Sequence, residues 1–170
     1  SVRSYTIGQG SLSVGSNYTV TYVGDDFAIT AKPITVTADD SQSKVYGTAD
    51  PVFTYSVSPS LVGSDSFTGS LTRVTGEGTG AYGIVQGNLS AGSNYAITYA
   101  RKDFEITAKP ITVTVDASQT KVYGTAEPVF TYTVSPRLVG NDSFTGSLTR
   151  GAGENVGTYP IAQGSLSAGT

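Results

Sequence analysis

Side chains that commonly carry chemistry are scarce in this sequence. Its 170 residues include no Cys and no His. The thiolate nucleophile, the commonest general base and the commonest nitrogen and sulfur metal ligands are therefore all missing. We predict that the chain is not an enzyme, that it has no catalytic residue, cofactor or metal site, and that its residue types identify no ligand-binding residues.

Neighbouring carboxylates are candidates for a cation site, because Ca²⁺ prefers several oxygen ligands. Asp25–Asp26 and Asp39–Asp40 are two such pairs. In the next copy of the repeat described below, the equivalent residues are Lys102–Asp103 and Asp116–Ala117, so neither pair recurs. A repeated ligand site would recur, and we therefore predict that both pairs lie in solvated turns.

A glycine-rich segment and two single aspartates also have turn chemistry. The segment Gly76-Glu77-Gly78-Thr79-Gly80 is similar to a phosphate-binding loop, but no Lys-Ser/Thr follows it and no helix is predicted after it, which favours a hairpin loop. Asp65 and Asp142 follow Gly-Ser and Gly-Asn at equivalent places. We expect each of these side chains to bond the backbone of its own turn.

Lys44, Lys121 and the tyrosines allow two further hypotheses. A buried lysine beside an Asn and a carboxylate in an apolar pocket can form an isopeptide cross-link, but the sequence does not show such a pocket at Lys44 or Lys121. The 11 tyrosines could stack on sugars or on a protein partner. Most of them alternate in phase with Ile, Val and Phe, which favours core packing.

The elements that position these residues recur at one fixed offset, at which Ile34–Gly47 returns as Ile111–Gly124. Residues 34–73 and 111–150 differ at about seven of forty positions, as expected for an array of like supersecondary units. We predict three parts: residues 1–33 are the C-terminal part of a repeat module, 34–110 are a complete module, and 111–170 are a third module without its last strands.

Each copy has the period-two pattern of β-strands. Apolar residues alternate with polar or small ones around Ile34–Ala38, Phe53–Val57, Tyr82–Ile84, Tyr95–Tyr99 and Phe104–Ile106. Turn-forming residues separate these runs. The sequence predicts a mainly β fold of small β-sheet modules stacked end to end, with at most one short helical turn over 58–64. An Ig-like β-sandwich is the alternative.

The junctions between copies are short. Ala31-Lys32-Pro33 and Ala108-Lys109-Pro110 separate the last strand of one copy from the first strand of the next. Proline fixes its own φ and lacks an amide hydrogen, so we expect it to end one ladder without adding a flexible tether. The apolar parity changes between Tyr99 and Phe104, which predicts a tight turn or bulge there.

Several motifs hold in both order and spacing across the copies: Lys44–Thr48 with Pro51, Phe53–Tyr55, Leu61–Asp65, Phe67–Leu71 and Gly87–Tyr95. On these motifs essentially the whole chain resembles the MBG repeat of the Tyr-Gly type. That family occurs in long, repetitive bacterial surface and secreted proteins, many of them adhesin-like. It is similar to other small β modules of bacterial stalks, so the resemblance implies modules that are β-grasp-like. The resemblance implies an extracellular building block at the bacterial cell surface, and it implies no activity and no particular ligand.

Two classes of function follow from this reading. The modules are either a stalk or spacer that projects the binding region of an adhesin from the cell, or each module itself binds a glycan or a host protein. The acidic pI near 4.7 argues against nucleic-acid or anionic-membrane partners. No charged-then-apolar leader opens the chain, so we expect an internal segment of a mature protein, and no apolar stretch is long enough to span a membrane.

The two terminal parts are complementary in sequence. The strands around Asn94–Tyr99 and Phe104–Ile106 have no equivalents after residue 170, whereas Asn17–Tyr22 and Phe27–Ile29 match them. We expect residues 17–30 of one chain to complete the sheet around 111–170 of another, head to tail. The alternative is a module boundary near Thr75–Gly80, so that 1–77 and 78–154 are each whole.

Overall fold

The computed structural model describes residues 2–169, and within that range the chain forms strands and loops without a helix. The strands are β1 (Arg3–Thr6), β2 (Asp26–Ile29), β3 (Lys32–Ala38), β4 (Ser43–Val45), β5 (Tyr55–Ser58), β6 (Thr72–Arg73), β7 (Gly80–Val85), β8 (Tyr95–Ala100), β9 (Asp103–Thr107), β10 (Thr112–Val115), β11 (Tyr132–Ser135), β12 (Phe144–Thr145), β13 (Thr149–Arg150), β14 (Ile161–Ala162) and β15 (Ser167–Ala168). The prediction of a mainly β fold is confirmed.

The chain divides into two compact units. One comprises Ser1–Gln42, Pro51–Thr75 and Ala81–Glu105, and the other comprises Ser43–Asp50, Gly76–Gly80 and Ile106–Thr170. Strand β9 begins in the first unit and ends in the second. The module boundaries at 33 and 110 stay a prediction.

A three-stranded sheet of order β5-β3-β8 forms one layer of the first unit. β3 pairs antiparallel with β5, with Val36 opposite Val57, and parallel with β8, with Ile34 opposite Ile97. The alternation predicted for β3 holds, because Ile34, Val36 and Ala38 are buried. Ile34 packs with Tyr95 and Ala91 in a core cluster that Phe67 and Leu61 partly cover.

A second sheet has the order β4-β9-β7-β6. In the first unit β6 and β7 pair antiparallel, with Arg73 opposite Ile84, so residues 74–79 form the hairpin loop expected there. Phe104 on β9 is fully buried and meets Phe53 edge to face, with ring centroids 5.2 Å apart. In the second unit Tyr46 N, just after β4, donates to Thr107 O at the end of β9.

The parity change after Tyr99 marks a change of sheet. Only Arg101 and Lys102 separate β8 from β9, yet β8 belongs to the three-stranded sheet and β9 to the four-stranded one. A hairpin would have paired the two strands with each other. The tight turn or bulge predicted from parity is therefore a passage from one layer to the next.

Pro33 does not end a ladder, which corrects the expectation from the sequence. β3 already begins at Lys32, and Pro33 lies opposite Ala96 of β8. Lys32 N donates to Asn94 O on the β8 side, so the nitrogen of the next residue points to the β5 side. Pairing with β5 starts only at Thr35, and the missing N–H of Pro33 therefore costs no ladder hydrogen bond. Pro110 lies outside the strands, before β10.

The first copy forms an exposed β-ribbon. β1 pairs antiparallel with β2, with Tyr5 opposite Phe27. Residues 17–22 are not in a strand, and Tyr18, Phe27 and Ile29 are exposed. Their equivalents in the next copy, Tyr95, Phe104 and Ile106, are buried.

The third copy repeats the pairings of the second as far as its residues allow. β10 pairs with β11, β13 with β14 and β12 with β15, all antiparallel. Of the described residues after 110, the buried apolar ones are Leu148 and Leu166, whereas Ile111 and Val113 are half-buried. In the described part of this copy, no strand takes the place beside β10 that β8 takes beside β3.

The segment 58–64 makes no helical turn. It contains a bend and a turn, and the peptide bond between Ser58 and Pro59 is cis. Gly63 has a φ of +57°, which lies in the left-handed region, so a right-handed helical turn cannot continue through this residue.

Candidate functional site

The most concentrated polar group in the complete module surrounds Lys44. This residue lies in the middle of β4 with its side chain turned inward, so that only 4% of the side chain is exposed. Its Nζ lies 2.7 Å from Asp50 Oδ1 and 2.5 Å from Glu77 Oε2, and all three residues belong to the second unit. A buried ammonium is tolerated only when it is paired in this way.

The same group recurs in the third copy. Lys121 Nζ lies 2.9 Å from Glu154 Oε2 and 3.2 Å from Glu127 Oε2. Arg150 joins it there, with Nε 2.8 Å from Glu127 Oε1 and Nη2 2.6 Å from Glu154 Oε1. We call the two groups the lysine clusters. Sequence reasoning missed them, although the repeat aligns Asp50 with Glu127 and Glu77 with Glu154.

Both clusters favour the charged form of their lysine. The hydrogen bonds that Lys44 donates to Asp50 and then to Glu77 raise its pKa, and those that Lys121 donates to Glu154 and then to Glu127 raise the pKa of Lys121. Arg150 lowers the pKa of Glu127, and Lys121 followed by Arg150 lowers that of Glu154. A protonated lysine has no free lone pair, so these are ion pairs rather than poised nucleophiles.

This geometry does not meet the requirements of an isopeptide cross-link. The partners of Lys44 are two carboxylates, and the side chain of Glu77 is 67% exposed. The reaction needs a neutral amine and apolar surroundings, whereas this cluster favours the ammonium and opens to solvent. The arrangement instead closes the loops that carry Asp50 and Glu77 onto β4.

The paired aspartates lie apart from the lysine clusters. Asp25 and Asp26 are exposed, and Asp25 Oδ1 accepts from Asp26 N at 2.8 Å. Asp39 O accepts from Gln42 Nε2 at 2.9 Å, and Asp40 Oδ1 lies 3.0 Å from Lys102 Nζ. Among residues 2–169 no group of three or more Asp or Glu side chains is placed to hold a metal ion.

The turns at Asp65 and Asp142 are closed differently from the expectation. Backbone bonds close both, from Asp65 N to Val62 O at 3.1 Å and from Asp142 N to Val139 O at 3.0 Å. The carboxylates accept from tyrosines instead: Asp65 Oδ2 lies 2.6 Å from Tyr95 Oη. The prediction of a side-chain-to-backbone bond was wrong because a phenol from another segment reaches the carboxylate.

A cavity of about 640 Å³ in the third copy is lined by Phe130, Val115 and Tyr159 together with its lysine cluster. Phe130 is the equivalent of Phe53, against which Phe104 packs in the complete module. A second cavity of about 440 Å³ lies over Ile111 and Val113, whose equivalents β8 covers. Both cavities are therefore lined by residues whose equivalents in the complete module contact β8 or β9, and their shape carries no argument for a small ligand.

The tyrosines have mixed roles. Tyr95 is buried, and Tyr55 meets Phe67 edge to face with ring centroids 5.5 Å apart. Arg73 lies over the ring of Tyr82 at 5.1 Å, and Arg150 lies over that of Tyr159 at 5.0 Å. Tyr18 and Tyr123 are exposed, so core packing accounts for part of this set only.

In the described range no helix is long and apolar enough to cross a membrane.

Comparisons with known proteins identify a family for this chain. No curated protein and no solved structure matches the chain. Residues 34–105 and 111–170 each match the family described as MBG domain (YGX type). These segments cover most of the sequence, and the chain therefore belongs to the MBG domain family of the YGX type.

Proposed function

We propose that this chain is a stalk or spacer segment of a bacterial cell-surface adhesin, and that it projects a binding region away from the cell. The proposal gives the chain an extracellular location and no catalytic role. It rests on the family, which implies a repeated building block, and on the use that the chain makes of its recurring polar groups.

The observation that carries the proposal is the anchoring of both junctions. Lys32 Nζ donates to Ser60 O at 2.7 Å, and Lys109 Nζ donates to Arg137 O at 2.8 Å. Each junction lysine is thus tied to the module that follows it, by the same kind of bond at equivalent places in the repeat. Only Thr30 and Ala31 separate β2 from β3. Both bonds fix the start of the following module, and a connection of two residues leaves little room for bending, whereas a Gly/Ser linker leaves it free.

Recurring polar side chains support the same reading because they stabilise the module itself. The lysine clusters close loops onto the sheet. Gln42 bonds both Asp39 O and Thr54 N, and Gln119 repeats this with Asp116 O and Thr131 N.

Small-angle scattering on the chain tests this function. The expected profile is that of an elongated particle, and insertion of Gly-Ser-Gly-Ser after Pro110 should give a more flexible one. Insertion of the same residues after Gly92, in the turn before β8, is the matched control for an added loop. Identical profiles for the chain and the Pro110 insertion would contradict a stiff spacer. Saturable binding of the chain on a glycan array would favour the alternative, in which each module binds a ligand.

A further inference from the structure

The sequence Val-Tyr-Gly-Thr forms the same tight turn in both copies. Thr48 N and Oγ1 both donate to Val45 O, at 3.1 and 2.7 Å, and Thr125 repeats the two bonds to Val122 O at 3.1 and 2.7 Å. Gly47 and Gly124 share a φ of +82°. Positive φ at the third position of a four-residue turn is the signature of a type II turn. We call residues 45–48 and 122–125 the Tyr–Gly loops.

Another turn also recurs, over residues 62–65 and 139–142. The backbone bonds that close it are given above, and Gly63 and Gly140 follow the first residue with φ of +57° and +55°. A valine side chain stands at the start of each turn and an aspartate at its end. We call these two segments the aspartate turns.

The Tyr–Gly loop of the complete module meets the aspartate turn of the next one. Tyr46 Oη donates to Asp142 Oδ2 at 2.9 Å. Val139 lies against Gly47 so closely that a Cβ at residue 47 would overlap a methyl group of Val139. All of these residues belong to the second unit. Glycine is therefore needed at 47 for the turn and also for the approach of the valine.

The chain contains its own comparison for this contact. Tyr46 and Val139, which take part in it, are half-buried. Tyr123 in the second Tyr–Gly loop is 68% exposed, and Val62 in the first aspartate turn is 59% exposed. A Cβ added at Gly124 would meet no atom within 4 Å. Turn geometry is the same in both copies, and the turn sequences differ only at Ser64 and Asn141, so the lower exposure of Tyr46 and Val139 agrees with the contact between them.

We propose that the Tyr–Gly loop is a docking site for the aspartate turn of a following module, and that the open loop 122–125 of one chain binds the open turn 62–65 of a second copy. The phenol supplies a hydrogen bond to the carboxylate, and the valine fills the space above the glycine. Asp65 already accepts from Tyr95, but a carboxylate has about four lone-pair sites and accepts a second phenol. The inference holds whether the array is a spacer or a binding protein.

Engineered disulfides test the contact, since the chain has no cysteine of its own. An ideal Cβ at residue 47 lies 3.2 Å from Val139 Cβ, close to the roughly 3.5–4.5 Å of a disulfide. Gly47→Cys with Val139→Cys is expected to oxidise within one chain. Gly47→Cys with Val62→Cys pairs the same loop with the wrong turn and sets the background rate. Because an intramolecular pair acts at millimolar effective concentration, the first variant should oxidise roughly 100-fold faster than an equimolar mixture of the single variants Gly47→Cys and Val139→Cys at about 10 μM protein. It should also oxidise faster than the second variant, whose cysteines are not in contact.

The open sites are tested with Gly124→Cys and Val62→Cys in one chain. Like the first variant, it replaces one Gly and one Val by Cys, and Gly124 has the same φ as Gly47. Its two cysteines, however, are expected to form disulfides only between different chains. Non-reducing gels should show a ladder of multiples that grows with protein concentration, while Gly47→Cys with Val139→Cys stays monomeric. Equal oxidation rates for the correct and the wrong pair would overturn the docking site. A Gly124–Val62 variant that stays monomeric while the Gly47–Val139 pair closes would overturn binding between copies.

Alanine variants provide a measurement that needs no cross-link. Gly47→Ala and Gly124→Ala both place a Cβ at φ +82°, but only Gly47→Ala displaces Val139. Gly47→Ala should therefore give the larger loss of thermal stability and should increase the exchange rate of the Asp142 amide. If both substitutions lower the midpoint equally, the loop does not dock.

Discussion

Replacement of Phe104 by Ala is expected to destabilise the complete module more than most single changes would. The side chain is 0% exposed, meets Phe53 edge to face at 5.2 Å and carries the Arg73 guanidinium 5.5 Å from its ring. Deletion of a buried aromatic ring typically costs about 3–5 kcal/mol, from lost transfer free energy and the cavity that remains. Against a total of roughly 5–15 kcal/mol, this removes a large part of the free energy of unfolding.

The matched control is Phe27→Ala, the same change at the equivalent position of the preceding copy, on β2, where the side chain is 57% exposed. Exposed substitutions usually change stability by less than about 0.5 kcal/mol. At roughly 4–8 °C per kcal/mol for a domain of this size, Phe104→Ala should lower the melting midpoint by about 12–40 °C and Phe27→Ala by only a few degrees.

Urea titration at low protein concentration, followed by tyrosine fluorescence, measures both variants, because the chain has 11 Tyr and no Trp. The slope of unfolding free energy against urea checks that the denatured states are comparable. A loss below about 1 kcal/mol for Phe104→Ala, well under the cost of a buried ring, would refute the assignment of Phe104 to the core. Equal losses for the two variants would refute the argument from burial.

Two further predictions concern pH and association. Glu127 and Glu154 have lowered pKa values in the folded chain. Their contribution to stability is therefore present above the unfolded pKa of about 4.3 and is lost as pH falls through the lower folded values. Thermal melts between pH 7 and pH 2 should show this loss. Lys44 and Lys121 have raised pKa values in the folded chain. Their contribution to stability is therefore present below about pH 10.5 and is lost as pH rises through the folded values. A melting midpoint that is independent of pH at both the acidic and the basic extreme would contradict the lysine clusters. Residues 17–30 are expected to enter the groove over Ile111 and Val113 of a second chain. They expose side chains whose equivalents are buried in the complete module. Light scattering should show a mass that rises with protein concentration, and a monomer at every concentration would contradict this association.

Much of the fold follows from local patterns in the sequence. The alternation at Ile34, Val36 and Ala38 and at Phe104 and Ile106 identifies strands whose apolar faces are buried in the structure. Their partners could not be read in the same way. β3 lies beside β8 although β4 to β7 come between them in the chain, and pairing over that distance leaves no periodic signal in either strand. The parity change at Arg101–Lys102 was visible in the sequence. That it marks the passage of the chain from one sheet to the other could be recognised only once the two sheets were known.

The polar groups were less predictable for the same reason. Adjacent aspartates such as Asp39–Asp40 stand out in a sequence, yet the structure directs Asp40 to Lys102 and assembles no group of carboxylates there. The lysine clusters bring together residues up to 33 positions apart, since Lys44 bonds Glu77 and Lys121 bonds Glu154. Asp65 was expected to bond its own turn, whereas Tyr95, which lies on the distant strand β8, reaches its carboxylate. Contacts of this kind depend on which loops the sheets bring together.

The parallel pairing of β3 with β8 has a mechanical consequence. Tension along the chain pulls β3 toward its start at Lys32, and it pulls β8 toward its end once β9, which follows β8 and belongs to the other sheet, has detached. Because the two strands run in the same direction, the forces slide them past each other along their length. The six residue pairs from Lys32 opposite Tyr95 to Thr37 opposite Ala100 then bear the load together rather than opening one at a time. Rupture under force is governed by the rate of unfolding, and we expect shear of this ladder to make that rate low.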